Sequence, residues 1–215
     1  MFNDKYGLTK AVLEGKKTQT RRVIQKSQLK NIEKFQEEFF NGTLDFLEGK
    51  ELLEQYFLVE GRKKPRYAVG EVLAVAQCLK DLGYDPRDTS NGHIWGLEHT
   101  PGWTNKMFVS ASDCIHQIRI TNIRLQRLKD ISDEYCLKEG VRRWEDEKEY
   151  LTDKTVRKSV DELKAAGYDA YAIPGCWGAY PSAREAYASL IDRISGKGTW
   201  DKNPWVFVYD FELIK

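Results

Sequence analysis

Trp205-Val206-Phe207-Val208-Tyr209-Asp210-Phe211-Glu212-Leu213 alternates along its whole length. Successive side chains of an extended chain point to opposite faces, so Trp205, Phe207, Tyr209 and Phe211 share one side of a β-strand. Working back, residues 114–128 carry a second strand pattern. Ile118 and Ile120 have one parity, Ile123 and Leu125 the other, and a bulge near Thr121-Asn122 reconciles them. A third extended stretch, Tyr67 to Gln77, places Val69, Val72, Leu73 and Val75 around a Gly70-Glu71 turn.

Helical patterns separate these strands unevenly. Leu8, Ala11 and Val12 predict a helix over 5–14, with Gly15 at its C-terminal cap. Leu29, Ile32, Phe35 and Phe39, then Leu47, Leu52 and Leu53, predict two amphipathic helices over 27–58 broken near Asn41-Gly42. Ser132 caps a short helix that ends at Gly140, and further helices are expected over 152–166 and 183–194, the latter closed by Ser195-Gly196-Lys197-Gly198. Residues 81–104, rich in Gly, Pro, Asn and Asp, read as a long loop. With no regular βαβ alternation and no internal repeat, the order favours an α+β domain with a small mixed sheet or barrel over a Rossmann fold.

The chain has 215 residues, 41% hydrophobic and 31% charged, which suits one globular domain with a sizeable core. No apolar run is long enough to cross a bilayer, and Met1 to Lys5 lacks the core of a signal peptide, so a cytoplasmic protein is expected. The four cysteines form no CxxC pair and are expected to be reduced. Cys78, His93, His99 and Cys114 match no standard zinc spacing, and neither a metal nor a cofactor is expected. His116 reads as structural, and most of Trp95, Trp103, Trp177 and Trp200 as packing residues. Nothing in the sequence fixes an oligomeric state.

Net charge is only +1, but residues 1–30 hold eight Lys or Arg against Asp4 and Glu14. This excess marks a candidate anion-facing patch. It peaks in Gly15-Lys16-Lys17-Thr18-Gln19-Thr20-Arg21-Arg22, which packs four cations, two hydroxyls and an amide directly after a helix. It is not a P-loop, because Lys17 follows Gly15-Lys16 where Ser or Thr is needed. Lys17 and Thr20 point to opposite faces of a straight strand, so a working pair of the two requires irregular backbone. If they meet, Lys17 beside Lys16 and Arg21 has its pKa lowered and can act as base toward the Thr20 hydroxyl. The alternative is a basic surface loop. Glu139 falls at the C-terminal end of its helix, where the dipole is unfavourable to a carboxylate and tends to raise its pKa; a nearby Lys17 would compensate it, and the alternative is an ordinary solvent-exposed Glu.

The run Ala11 to Ile24 resembles the opening signature of ASCH domains. Three further blocks agree in order: Tyr67 to Leu73; Ile118 to Gly140 with Asp130-Ile131-Ser132-Asp133-Glu134; and Gly196-Lys197-Gly198-Thr199-Trp200 through Asn203-Pro204-Trp205 to Phe211. Together they cover about half the chain. The Gly-Lys-Gly-Thr-Trp and Asn-Pro-Trp ending resembles that of uncharacterised ASCH proteins common in bacteria and their phages. The resemblance implies a PUA-like fold in one domain, 1–215, with insertions near 27–65, 79–112 and 142–180. It also implies binding of RNA or a modified nucleoside, with Lys16, Thr18, Arg21 and Arg22 as ligand contacts. A short bacterial member of the family hydrolyses the amide of N4-acetylcytidine with a lysine, a threonine and a glutamate. Its motif falls here on Lys17, Thr20 and Glu139, which makes an amidohydrolase the alternative to a binding domain. A regulatory, protein-interaction role of the helical insertions is a third reading.

Overall fold

The computed structural model describes residues 2–24, 49–59, 65–146 except 91, 93 and 94, and 154–215 except 177. Its centre is a curled antiparallel sheet of four strands in the order β1-β6-β3-β2: β1 (Gln19–Val23), β2 (Val72–Ala74), β3 (Gln117–Arg127) and β6 (Trp205–Leu213). The α+β class holds, but the sheet is antiparallel throughout rather than mixed. The C-terminal strand β6 returns between β1 and β3 and runs against both. Hydrophobic pattern marks where strands lie and not which way they run.

The bulge falls where the parity change puts it, between Ile120 and Asn122. Past it, Ile123 and Leu125 lie opposite Tyr209 and Phe207. That face of β6 contributes Phe207, Tyr209 and Phe211 to one core cluster. It is covered by α2 (Gly49–Glu54) and the single π-helical turn Gln55–Val59, through Leu53, Tyr56 and Phe57. The Phe57 ring meets Phe207 edge-on at 5.1 Å. The opposite face, Val206 and Val208, is buried beneath α3 (Asp133–Lys138) and α5 (Ala183–Ser195) in a second cluster with Leu190, Ile191 and Tyr187. Thus β6 is covered on both sides, and among its side chains from Val206 to Phe211 only Asp210 is not buried.

Local signals account for the element ends. The helix expected over 5–14 is a 3-10 turn at Asp4–Tyr6 followed by α1 (Leu8–Leu13), divided at Gly7, and Gly15 adopts φ +67° just beyond it. Ser132 caps α3 by accepting from the Tyr135 N–H at 3.4 Å, and Gly140 ends it at φ +106°. The helix α4 (Lys154–Ala165) stops before Gly167, and Gly196 follows α5.

Several boundaries differ from the sequence reading. The extended stretch 67–77 yields only the three residues of β2, and the loop 81–104 contains 3-10 turns at Leu97–His99 and Pro101–Trp103. A two-stranded ribbon, β4 (Arg142–Arg143) with β5 (Tyr171–Ala172), was not marked by any alternation, being too short to show one. With α4 it encloses a small separate core of Trp144, Val156, Val160, Ala170 and Ala172. The Gly-Lys-Gly closure leads into a further short helix, α6 (Thr199–Lys202). The first helix expected within 27–58, and His93 and Trp177, lie outside the described residues. Trp95 is 78% exposed and so is no packing residue.

Candidate functional site

No strand signal marks 19–23, where four of five side chains are polar, yet β1 forms at the sheet edge against β6. It is held there by backbone and by its own side chains. Phe211 N–H donates to the Thr18 carbonyl at 2.9 Å and Ile24 N–H to the Trp205 carbonyl at 3.0 Å. The even-numbered residues of β1 therefore turn their backbone groups toward β6, and Gln19, Arg21 and Val23 turn theirs to the free edge. Register sets the side chains: Thr20 and Arg22 lie beside Tyr209 and Phe207, while Gln19 and Arg21 lie beside Asp210 and Val208 on the α3 and α5 side.

Lys17 reaches this edge because the chain doubles back at Gly15. The N–H groups of Lys16 and Lys17 both donate to the Ala11 carbonyl at 2.9 Å, and Thr18 N–H donates to the Lys138 carbonyl at 3.0 Å. The second of these links joins β1 to the end of α3, so residues 122 apart in sequence meet. Lys17 Nζ donates to Glu139 Oε2 at 2.8 Å, to the Glu139 carbonyl at 2.7 Å and to the Gln19 carbonyl at 2.7 Å. Arg21 Nη1 donates to the other carboxylate oxygen, Glu139 Oε1, at 2.9 Å. These are buried ion pairs: the side chains of Lys17, Arg21 and Glu139 are 0%, 1% and 5% exposed. One cation therefore satisfies both the misplaced carboxylate and the carbonyl at the helix end, where a positive charge is favourable.

The cluster extends through polar side chains that the sequence did not single out. Arg21 also donates to Gln19 Oε1 and, at 3.3 Å, to Gln126 Oε1. Gln19 Nε2 donates to Asp210, which Arg124 and Asn122 also contact. Asp210, an acid set between Tyr209 and Phe211 in a hydrophobic strand, was a signal available in the sequence. Tyr135 underlies the arginines, with Arg124 and Arg21 at 5.1 and 5.9 Å from its ring. Tyr187 carried no such signal. Its hydroxyl faces Glu139, Arg21 and Cys136 but lies beside the Arg21 guanidinium without hydrogen-bond geometry.

Burial decides the electrostatics. Desolvation pushes the Lys17 ammonium below its ordinary pKa, and the Glu139 carboxylate pulls it partly back. Burial holds the Tyr187 hydroxyl well above the usual tyrosine value, keeping it protonated. The Cys136 thiol is pushed up to about 12 by burial, which makes it a poor nucleophile.

A cavity of about 640 Å³ wraps the free edge of β1 and so touches both of its faces. Lys17, Arg21 and Glu139 line it, as do Thr20 and Arg22. The structure thus brings Lys17 and Glu139 into direct contact and sets Thr20 on the same cavity, in regular strand rather than irregular backbone. Lys16 and Thr18 are not among the lining residues: Lys16 pairs with Glu14 at 2.8 Å on the surface. With Lys17 and Arg21 buried, the basic segment is not a surface loop. No group of His, Cys, Asp or Glu among the described residues could hold a metal ion, and no described helix is long and apolar enough to cross a membrane. No family model, curated protein or solved structure matches the chain.

Proposed function

We propose that the chain is an ASCH-type domain of PUA-like fold that binds RNA or a modified nucleoside in the cavity at the edge of β1. The observation that carries this reading is the buried Lys17–Glu139–Arg21 cluster at the cavity wall. Burying three charges costs several kcal/mol per ion before pairing repays it, and a domain of this size has simpler ways to fill a core. The rest of the lining fits a nucleoside: Arg22 and Arg66 add positive charge, and the half-buried Phe2 adds aromatic surface. The volume lies within the roughly 300–1,000 Å³ of small-molecule sites. A fluorescence-anisotropy titration with single-stranded RNA tests it. Binding should weaken with salt and with Arg22→Ala and Arg66→Ala; no binding at low salt sinks the reading.

Thr20 on the same cavity supports a second reading, an amidohydrolase acting on an N-acylated nucleoside. Thr20 Oγ would attack the acyl carbon and release the amine, leaving an ester that water then hydrolyses. Lys17 would take the hydroxyl proton, and that proton would pass to the leaving amine from Lys17, oriented by Glu139, or by way of Glu139 itself. The binding reading comes first because all three Lys17 N–H groups already point at acceptors, leaving no lone pair toward Thr20. The base role requires Lys17 to give up a proton beforehand. Release of free amine from a panel of N-acylated nucleosides, lost in Thr20→Ala and Lys17→Ala, would establish it, and turnover indifferent to both would exclude it.

A further inference from the structure

The side chains of the charge cluster satisfy one another. Lys17 donates to three acceptors within it, and Arg21 Nη1 and Nη2 are committed to Glu139, Gln19 and Gln126. With these two side chains 0% and 1% exposed, the cluster offers a ligand a fixed wall rather than a contact. Arg21 as a whole residue is nevertheless 5% exposed, so the surface through which it meets the cavity is its main chain. Register puts that main chain on the free edge. Arg21 and Val23 face away from β6, and among the described residues their N–H and C=O groups have no partner, whereas those of Thr20 and Arg22 turn toward β6.

Two open residues are a short edge for an added strand. The Gln19 carbonyl is taken by Lys17 and Gln19 is 0% exposed. The open groups from Arg21 to Val23 therefore span only about 7 Å, and a peptide laid there would gain few ladder bonds. A planar ligand with a donor and an acceptor on neighbouring atoms fits this edge better. In an antiparallel sheet a residue exchanges two bonds with the residue opposite, N–H to O and O to N–H, and the Watson–Crick edge of a nucleobase carries the same pair of groups. Val23, Ile194 and the half-buried Phe2 line the same cavity with apolar surface suited to the faces of a base. Resting on the binding reading above, we propose that an unpaired base stands in for a further strand, its Watson–Crick edge hydrogen-bonded to the main-chain N–H and C=O of Arg21. The ligand class is thereby narrowed to nucleosides and single strands whose pairing edge is free; a duplex, or a base blocked at that edge, is excluded.

A nitrogen–proton NMR titration of the wild-type protein with uridine, cytidine and adenosine tetranucleotides reads the contact at its own atom. With each tetranucleotide that binds, the Arg21 main-chain N–H should move downfield, while the Thr20 N–H, already turned into the sheet, keeps its place. Calorimetry then compares the uridine tetranucleotide with its 3-methyl and 5-methyl forms. The two methyl groups are equal in size, but only the first covers the pairing edge. Methylation at position 3 should weaken binding at least about tenfold, and at position 5 less than about threefold. An Arg21 main-chain N–H that does not respond to bound RNA overturns the inference, as do equal affinities for the two methylated forms; RNA still binds in either case, so the reading beneath it stands. Failure of every tetranucleotide and of longer single-stranded RNA to bind removes both.

Discussion

Glu139 is the hinge of the charge cluster, because each of its oxygens faces a different cation. Replacing it by the isosteric amide leaves Lys17 and Arg21 buried with like charge and no counter-ion. Glu139→Gln should cost about 3–5 kcal/mol, the range for breaking a buried ion pair from one side, measured by urea denaturation. A cost under about 1 kcal/mol would mean the cluster is wetter than its burial implies. Tyr187 gives a test of different form. Its folded pKa is raised, so its contribution is fully present below the unfolded value near 10.0 and is lost as pH rises beyond it, when the unfolded phenol ionises and the buried one resists. Stability of the wild type should therefore fall as pH climbs past that point, and that of Tyr187→Phe should fall less steeply. Parallel alkaline profiles would show that the hydroxyl is not held neutral by the fold.

The elements that build the site differ in how much of them is written in sequence. The alternation of 205–213 gave β6 to the residue, and the parity change at Thr121-Asn122 located the bulge of β3, because both rest on hydrophobic period alone. Ser132 and Gly140 bounded α3 through capping chemistry. β1 was not legible as a strand: Gln19 to Arg22 are polar, and what makes them extended is pairing with β6 and a side-chain network reaching Asp210, both tertiary. For the same reason Lys17 and Glu139 could be named in advance but Tyr187 and Gln126 could not, since nothing in their local pattern points to a charge cluster. Gly140 tests the element that carries Glu139. Its φ of +106° disfavours any side chain, and an added Cβ would lie 2.9 Å from Leu8 Cδ2, a flexible end that can yield. Gly140→Ala should thus cost about 1–3 kcal/mol, mostly backbone strain, seen as a lowered urea midpoint. An unchanged midpoint would show that α3 ends in another conformation.

For the molecule as a whole, the sheet leaves β1 at an edge, and that edge is occupied by a cavity rather than by another strand among the described residues. Unpaired strand edges are a liability that folds usually cover; here the Gln19 carbonyl, which points away from β6 and is buried, is taken by Lys17, and the remaining space is polar, cationic and partly aromatic. The proposed ligand site is this edge and not Arg119 and Arg127 of β3, which lie on the exposed surface. The most direct measurement is a nitrogen–proton NMR titration that follows the arginine Nε–H signals as single-stranded RNA is added. With ligand at the β1 edge, Arg21 and Arg22 shift together and saturate while Arg119 and Arg127 stay in place; movement of Arg119 and Arg127 with Arg21 unchanged would contradict the proposed site.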